Sequence, residues 1–268
     1  TLCKEAYDRL SFGVFLIMAS KPNVLITRPE PSASILATLL KPYPLNSYVF
    51  PSMQLVPFFA RNLQQRIQSA PDIFIFTSPS AVTFFVQHAS LRDLSKLFAV
   101  PVVAMGPGTA LQCEQAGFKI IHYPQRPPIN SAAVLALPLL KKCRNQTIYL
   151  IKGQGGSDLI YRKLKRDGAN IANIRVYQRV LNEPTPDLSN EVSFGEKIDL
   201  VVCTSIDGLR AFYSQTKDYQ NYFTPETTIT CLSPKMHRFC QDKNLATLSI
   251  DSASNNSLVR AIGHFFKF

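Results

Sequence analysis

The chain has 268 residues, enough for one large or two medium domains, and its 46% hydrophobic content excludes global disorder. A formal charge of +11 favours an anionic partner, whether nucleic acid, a membrane surface or a small polyanion. Six cysteines, at positions 3, 113, 143, 203, 231 and 240, form no Cys-x-x-Cys pair or zinc spacing and suit a reducing cytoplasm better than a disulfide framework.

The first apolar run, Leu10 to Ala19, is too short to span a bilayer. Met18 reads as the natural start of the folded part, so residues 1–20 are expected to be an extension, with no membrane anchor beyond it. Asn23–Thr27 is a short strand, and Ser32 opens a helical pattern through Leu39. Ser47–Phe58 carries Pro51 and Pro57 and reads as an edge strand or an extended linker. Ile73–Phe76 is a buried strand, and Ser78 or Ser80 can cap the helix after it. Val100–Met105 is a strand leading through Gly106-Pro107-Gly108-Thr109 into a helix that Gly117 ends. Lys119–His122 is a strand, and a proline-rich loop precedes a helix from Asn130. Thr147–Ile151 is a strand, Lys152–Gly156 a glycine-bearing loop, and Ser157–Asp167 a helix closed by Gly168. Ile171–Val180 is extended, and a polar linker covers 182–189. Alternating strands and helices imply parallel sheets with right-handed crossovers.

The same order then returns. Phe76–Phe85 lines up with Cys203–Phe212, and Ala104–Thr109 with Cys231–Met236, both at an offset of 127 residues. Cys113 falls on Cys240 and Gly117 on Asn244 at that offset, which marks a duplication. A looser pairing sets Val24–Arg28 on Tyr149–Gly153 at an offset of 125, placing Ser32 on Ser157. The N-terminal unit then completes the second copy. One lobe is discontinuous, 21–47 with 184–268, the other is inserted at 55–176, and linkers 48–54 and 177–183 form a hinge.

Open parallel sheets bind ligands beyond the carboxyl ends of their strands. Six loops fall there: Thr27-Arg28, Thr77-Ser78 with Ser80, Gly106–Thr109, Lys152–Gly156 with Lys152 and Gly153 as its candidate contacts, Thr204-Ser205 and Ser233-Pro234-Lys235. Each places small or hydroxyl residues at a helix start, where free N–H groups favour anions, or where they serve only as caps. Six such loops around one gap point to a polyanion cleft. No Gly-x-Gly-x-x-Gly, Walker A loop, serine elbow or metal cluster occurs, so no cofactor and no metal are expected. The four histidines are scattered. Tyr177, entering the hinge, is the candidate proton donor, with a packed interlobe aromatic as the other reading.

These pieces together resemble the uroporphyrinogen-III synthase family. The resemblance rests on Val24-Leu-Ile-Thr-Arg-Pro29, Ile75-Phe-Thr-Ser78 with Ala81-Val82, and Ala104-Met-Gly-Pro-Gly-Thr109. It continues through Gly168-Ala169, Val176-Tyr-Gln178, Cys203-Thr-Ser205 with Gly208-Leu209, and Ser233-Pro-Lys235, spanning about 21–266. It implies two flavodoxin-like α/β lobes with parallel sheets, joined by a two-stranded hinge. It implies a cytoplasmic, cofactor-independent lyase that closes hydroxymethylbilane into uroporphyrinogen III, with loss of water and inversion of ring D through a spiro intermediate. Tyr177 takes the place of the family's hinge tyrosine. A monomer is expected, with handover of substrate from hydroxymethylbilane synthase. Ser157 stands where many relatives carry a basic residue, and Lys235-Met236 replaces a hydroxyl-bearing loop, so unequal walls are expected. A non-catalytic binding protein remains the competing class. A nucleic-acid binder has no basic stripe or stacking motif to support it.

Overall fold

A computed structural model describes residues 20–58, 70–88, 94–183 and 196–268. The expected N-terminal extension with Cys3 and Met18, and linker residues 184–189, lie outside the described residues.

Two separate sheets carry the chain. The first has strands β1 (Asn23–Ile26), β2 (Asn46–Val49), β9 (Leu200–Val202), β10 (Thr228–Cys231) and β11 (Ala246–Ser249), all parallel in the order β11-β10-β9-β1-β2. The second has β3 (Met53–Pro57), β4 (Ile73–Phe76), β5 (Val102–Ala104), β6 (Ile121–His122), β7 (Thr147–Gly153) and β8 (Asn170–Leu181). Its order is β3-β8-β7-β4-β5-β6, parallel except for β3. The N-terminal strand therefore joins the C-terminal sheet, and the fold is two α/β lobes with one lobe discontinuous in sequence.

The segment read as one edge strand or linker divides between the lobes. β2 stays in the first sheet, Phe50–Ser52 crosses, and β3 becomes an edge strand of the second, where Pro57 costs no ladder bond. β3 pairs antiparallel with β8 from Met53 opposite Leu181 to Pro57 opposite Tyr177. The two chain crossings are thus hydrogen-bonded to each other, which makes the two-stranded hinge. Ser52 Oγ donates to the Gly208 carbonyl at 3.2 Å, and Gln215 Nε2 to the Asn182 carbonyl at 3.2 Å, so the hinge is fastened to α8 (Ile206–Gln215).

The duplication extends to single hydrogen bonds. The Thr147 N–H donates to Asp72 Oδ2 at 2.7 Å, and the Asn23 N–H to Asp199 Oδ2 at 2.7 Å. Asp72 and Asp199 stand 127 apart, whereas Asn23 and Thr147 stand 124 apart. Two further pairs agree with 124: the N–H groups of Asn46 and Asn170 donate to Pro22 and Gln146. Leu36 and Leu40 of α1 (Ser32–Leu40) fall on Ile160 and Leu164 of α7 (Leu159–Arg166), and all four are buried. The looser offset of 125 is thus corrected to 124, which sets Arg28 on Lys152 and Ser32 on Gly156. The physical reason is face parity. Val24 and Ile26 pack on the side of their sheet that corresponds to Ile148 and Leu150, and a one-residue slip would invert it.

Helix endings behave as the sequence requires. Gly117 and Asn244, equivalent in the repeat, have φ of 104° and 55°, and Gly168 has φ of 91°. The α7 helix begins at Leu159 rather than Ser157, because Gly155 and Gly156 both take positive φ and keep the loop open. No helix among the described residues is long and apolar enough to cross a membrane.

Candidate functional site

The carboxyl ends of both sheets face one cleft between the lobes. Two cavities, of about 500 and 660 Å³, occupy it. Gln154, Gly155, Gln178 and Arg179 contribute from the inserted lobe, while Asp207 and Arg210 of α8 contribute from the other. The second cavity adds Gly156, Ser157 and Lys235.

On the inserted-lobe wall, β4 delivers Thr77 and Ser78. Thr77 Oγ1 donates to the Ile151 carbonyl at 3.3 Å. Ser78 Oγ accepts from the Ala81 N–H at 3.1 Å, so Ser78 caps α2 (Pro79–His88), and Ser80 lies within its first turn. Ser78 Oγ also lies 3.2 Å from the Tyr177 hydroxyl. Tyr177 is 3% exposed. Its ring stacks on Phe84 at 5.5 Å between centroids, and the Arg179 guanidinium lies over it at 5.6 Å. Tyr177 is thus a packed aromatic whose hydroxyl belongs to a polar pair at the end of the sheet.

Gly153 lies against that ring. A Cβ added there would come within 2.5 Å of Tyr177 Cζ, and a register shift in the β7–β8 ladder falls between Lys152 and Gly153. Lys152 is buried, and its ammonium donates to the Ser157 carbonyl at 3.3 Å and to Asp158 Oδ1 at 3.2 Å. Its charge clamps the glycine loop rather than facing the cleft. Gly106 precedes α4 (Pro107–Gln115) without a side-chain cap; Pro107 and Gly108 are exposed and Thr109 is buried. A Cβ on Gly106 would meet Ile129 Cγ2 at 2.8 Å, so this glycine permits a close approach of chain to chain.

The opposite wall starts at Cys203, where the chain leaves β9. Thr230, fully buried on β10, accepts from the Cys203 N–H at 2.8 Å and donates to the Cys203 carbonyl at 2.8 Å. That bracket aims Thr204 and Ser205, and Ser205 Oγ caps α8 by accepting from the Gly208 N–H at 3.0 Å. Ser233 caps α9 (Pro234–Gln241) through the Met236 N–H at 3.4 Å, leaving Pro234 and Lys235 exposed. Thr230→Val should leave a buried N–H and carbonyl unpaired and cost about 1–3 kcal/mol each way the pair is counted. Urea unfolding should show this as a lower midpoint at unchanged slope.

Arg28, the counterpart of Lys152, donates to Asn255 Oδ1 at 2.7 Å and to the Ala253 carbonyl at 3.2 Å. Burial lowers its pKa from the ordinary guanidinium value. Like Lys152, it braces its own lobe.

Of the sequence-predicted set, Lys235 lines the second cavity, whereas Arg28, Thr77, Ser78, Ser80, Gly106–Thr109, Lys152, Gly153, Thr204, Ser205, Ser233 and Pro234 line neither. The expected Lys152–Gly156 loop reaches the cleft through Gln154, Gly155 and Gly156, whereas sequence reasoning missed Gln178, Arg179, Asp207 and Arg210. One signal was available: Arg179 follows Tyr177 by two residues and so shares its side of the strand. Burial pushes the Cys113 and Cys231 thiols up to about 12 and Cys203 to about 11, so these thiols offer no ready nucleophile. No cluster of three metal-ligating side chains occurs among the described residues.

Residues 34–260 match the family described as Uroporphyrinogen-III synthase HemD. The chain is 25% identical over 249 residues to the uroporphyrinogen-III synthase of Salmonella typhimurium, covering 90% of this chain and 99% of that protein. The Escherichia coli uroporphyrinogen-III synthase is 24% identical over 247 residues, with 90% and 99% covered. Among solved structures, the uroporphyrinogen-III synthetase of Helicobacter pylori superposes with a TM-score of 0.62 at 13% identity, covering 91% of this chain and 99% of that one.

Proposed function

The chain belongs to the uroporphyrinogen-III synthase family, and we propose that it closes hydroxymethylbilane into uroporphyrinogen III in the cleft between its lobes. The observation that carries this reading is the Tyr177–Ser78 hydroxyl pair, 3.2 Å apart, next to a cleft with cations on both walls. Substrate enters as a linear tetrapyrrole bearing eight carboxylates. The half-buried Ser78 hydroxyl gives its proton to the departing hydroxyl of ring A and takes the proton of Tyr177. Water leaves with the C–O electron pair, and an azafulvene cation remains. The substituted α-carbon of ring D attacks it, the spiro intermediate fragments and recombines with ring D inverted, and the proton lost as ring D regains its aromaticity returns through Ser78 to Tyr177. The proposed reading calls on no metal or organic cofactor.

Holding both ends of a flexible substrate together is the larger part of this work, since spontaneous closure proceeds without inversion. Helix-terminal N–H groups beside Ser78, Ser80, Gly106–Thr109 and Thr204-Ser205 are proposed to take carboxylates on the two walls. Side-chain charge comes from Arg179, Arg210 and Lys235. Arg28, Lys152 and Gly153 are proposed to shape the loops that present these groups. Lobes at 21–47 with 184–268 and at 55–176 would close about 48–54 and 177–183. A cytoplasmic monomer that receives its substrate from hydroxymethylbilane synthase, without nucleic acid or membrane, completes the proposal.

Freshly made hydroxymethylbilane, with the uroporphyrin isomers resolved after oxidation, tests the reading. Type III product is expected; type I alone, at the uncatalysed rate, would leave a binding protein as the better description. Arg210→Gln and Lys235→Gln should each raise KM by roughly tenfold, the size of one charge-assisted contact, with kcat near the parent value. The effect should shrink as ionic strength rises.

A further inference from the structure

Both cavities share Asp207 and Arg210, which stand one turn apart on α8. Arg210 suits a polycarboxylate. Asp207 does not, because a carboxylate at the same opening repels such a ligand. It is exposed, and the ion pairs among the described residues, Lys152 with Asp158 and Lys163 with Asp167, do not involve it. Nor is it the cap of its helix, since Ser205 already accepts from the Gly208 N–H. Its counterpart in the repeat, 127 residues earlier, is the uncharged Ser80. The acid is therefore peculiar to one wall.

A group that opposes binding of the ground state is useful where charge of opposite sign develops later. The proposed reaction develops one. As the C–O bond of the ring A hydroxymethyl breaks, oxygen takes the electron pair and a proton and departs as water, and the tetrapyrrole is left positive. We propose that Asp207 is the counter-charge for this cation, a catalytic residue that neither forms a bond nor moves a proton. The inference rests on the synthase reading.

The geometry supports it in two ways. Asp207 shares its cavity with Gln178 and Arg179, which follow Tyr177 on β8, and with Gln154, whose N–H donates to the Tyr177 carbonyl at 2.7 Å, so proton delivery and charge compensation come from opposite walls. The α8 helix is also fastened to the hinge through Ser52 and Gln215, so the position of Asp207 follows the hinge.

Steady-state kinetics of the full chain, with type III product resolved from type I, decide the matter. Asp207→Asn and Asp207→Ser are expected to lower kcat at least about tenfold, at unchanged or lower KM, with a thermal midpoint close to the parent's. Asp207→Glu should recover much of the rate. A kcat within twofold of the parent for both uncharged variants would overturn the proposal, whatever KM does, and would leave Asp207 as a first-turn helix acid or a repulsive specificity element. Equal loss in Asp207→Glu and Asp207→Asn would overturn it too, by tying the effect to shape rather than charge. The parent enzyme in the same assay reports on the synthase reading by itself: absence of type III product there sinks that reading, and this proposal with it, before any variant is compared.

Discussion

Tyr177→Phe is expected to cut kcat by about 10²–10⁴-fold, the usual contribution of a positioned general acid. The fold should survive. The ring keeps its stack on Phe84 and its contact with Arg179, and Ser78 keeps the Ala81 N–H as a partner. The lost Tyr177–Ser78 hydrogen bond is worth about 1 kcal/mol, which in a chain of this size moves the melting temperature by roughly 2–4 °C. Isomer-resolved turnover beside a thermal melt separates the two effects. Near-normal kcat would remove Tyr177 from the mechanism and leave it as an interlobe aromatic. A large kcat loss with a collapsed melting temperature would show that the hydroxyl serves the scaffold instead.

How far the sequence could lead here depends on the kind of feature. The duplication was legible through Cys113 with Cys240 and Gly117 with Asn244, because a helix must end in few ways and the copies ended theirs alike. The interleaved topology followed from the same alignment. The phase of the N-terminal unit was harder to read. All four residues of β1 are buried, as are the middle residues of β7, so neither strand shows the alternation that would fix which side faces which layer. Leu-Ile then matched one residue out of step. The cleft was legible as a place but not as a set of side chains. Lys152 and Arg28 looked like substrate contacts because they end equivalent strands, but Asp158 and Asn255 take up their charged groups. Arg210 and Asp207 carry no motif, and their importance comes only from where α8 sits once the hinge is formed.

The walls differ more than the altered Ser233–Met236 loop suggested. Ser80, Thr83 and Gly108 of the inserted lobe correspond to Asp207, Arg210 and Lys235 of the other. Tyr177 corresponds, at the offset of 124, to Met53, which lines the cleft without a proton to give. The hydroxyl pair thus belongs to one wall alone, and that wall offers Arg179 where the other offers Asp207, Arg210 and Lys235. A substrate that must present ring A to an acid and its carboxylates to cations would be oriented by that difference alone.

Gly153→Ala carries this logic to the residue that seats the acid. With 2.5 Å to Tyr177 Cζ and 2.6 Å to Cε2, an added methyl cannot be absorbed by a flexible side-chain end, and the ring or the β7–β8 ladder has to move. A loss of about 1–3 kcal/mol in stability is expected from such overpacking. Displacing the hydroxyl from Ser78 should lower kcat by about a hundredfold or more, since misplacement by an ångström is enough for such a loss. The double variant Gly153→Ala with Tyr177→Phe distinguishes positioning from general damage. Its ring still collides with the methyl, so the stability loss should persist. Its hydroxyl is already gone, so kcat should fall little below that of Tyr177→Phe alone. Multiplying kcat losses would mean that Gly153 serves the substrate directly, as an anion-binding loop residue, and not through Tyr177.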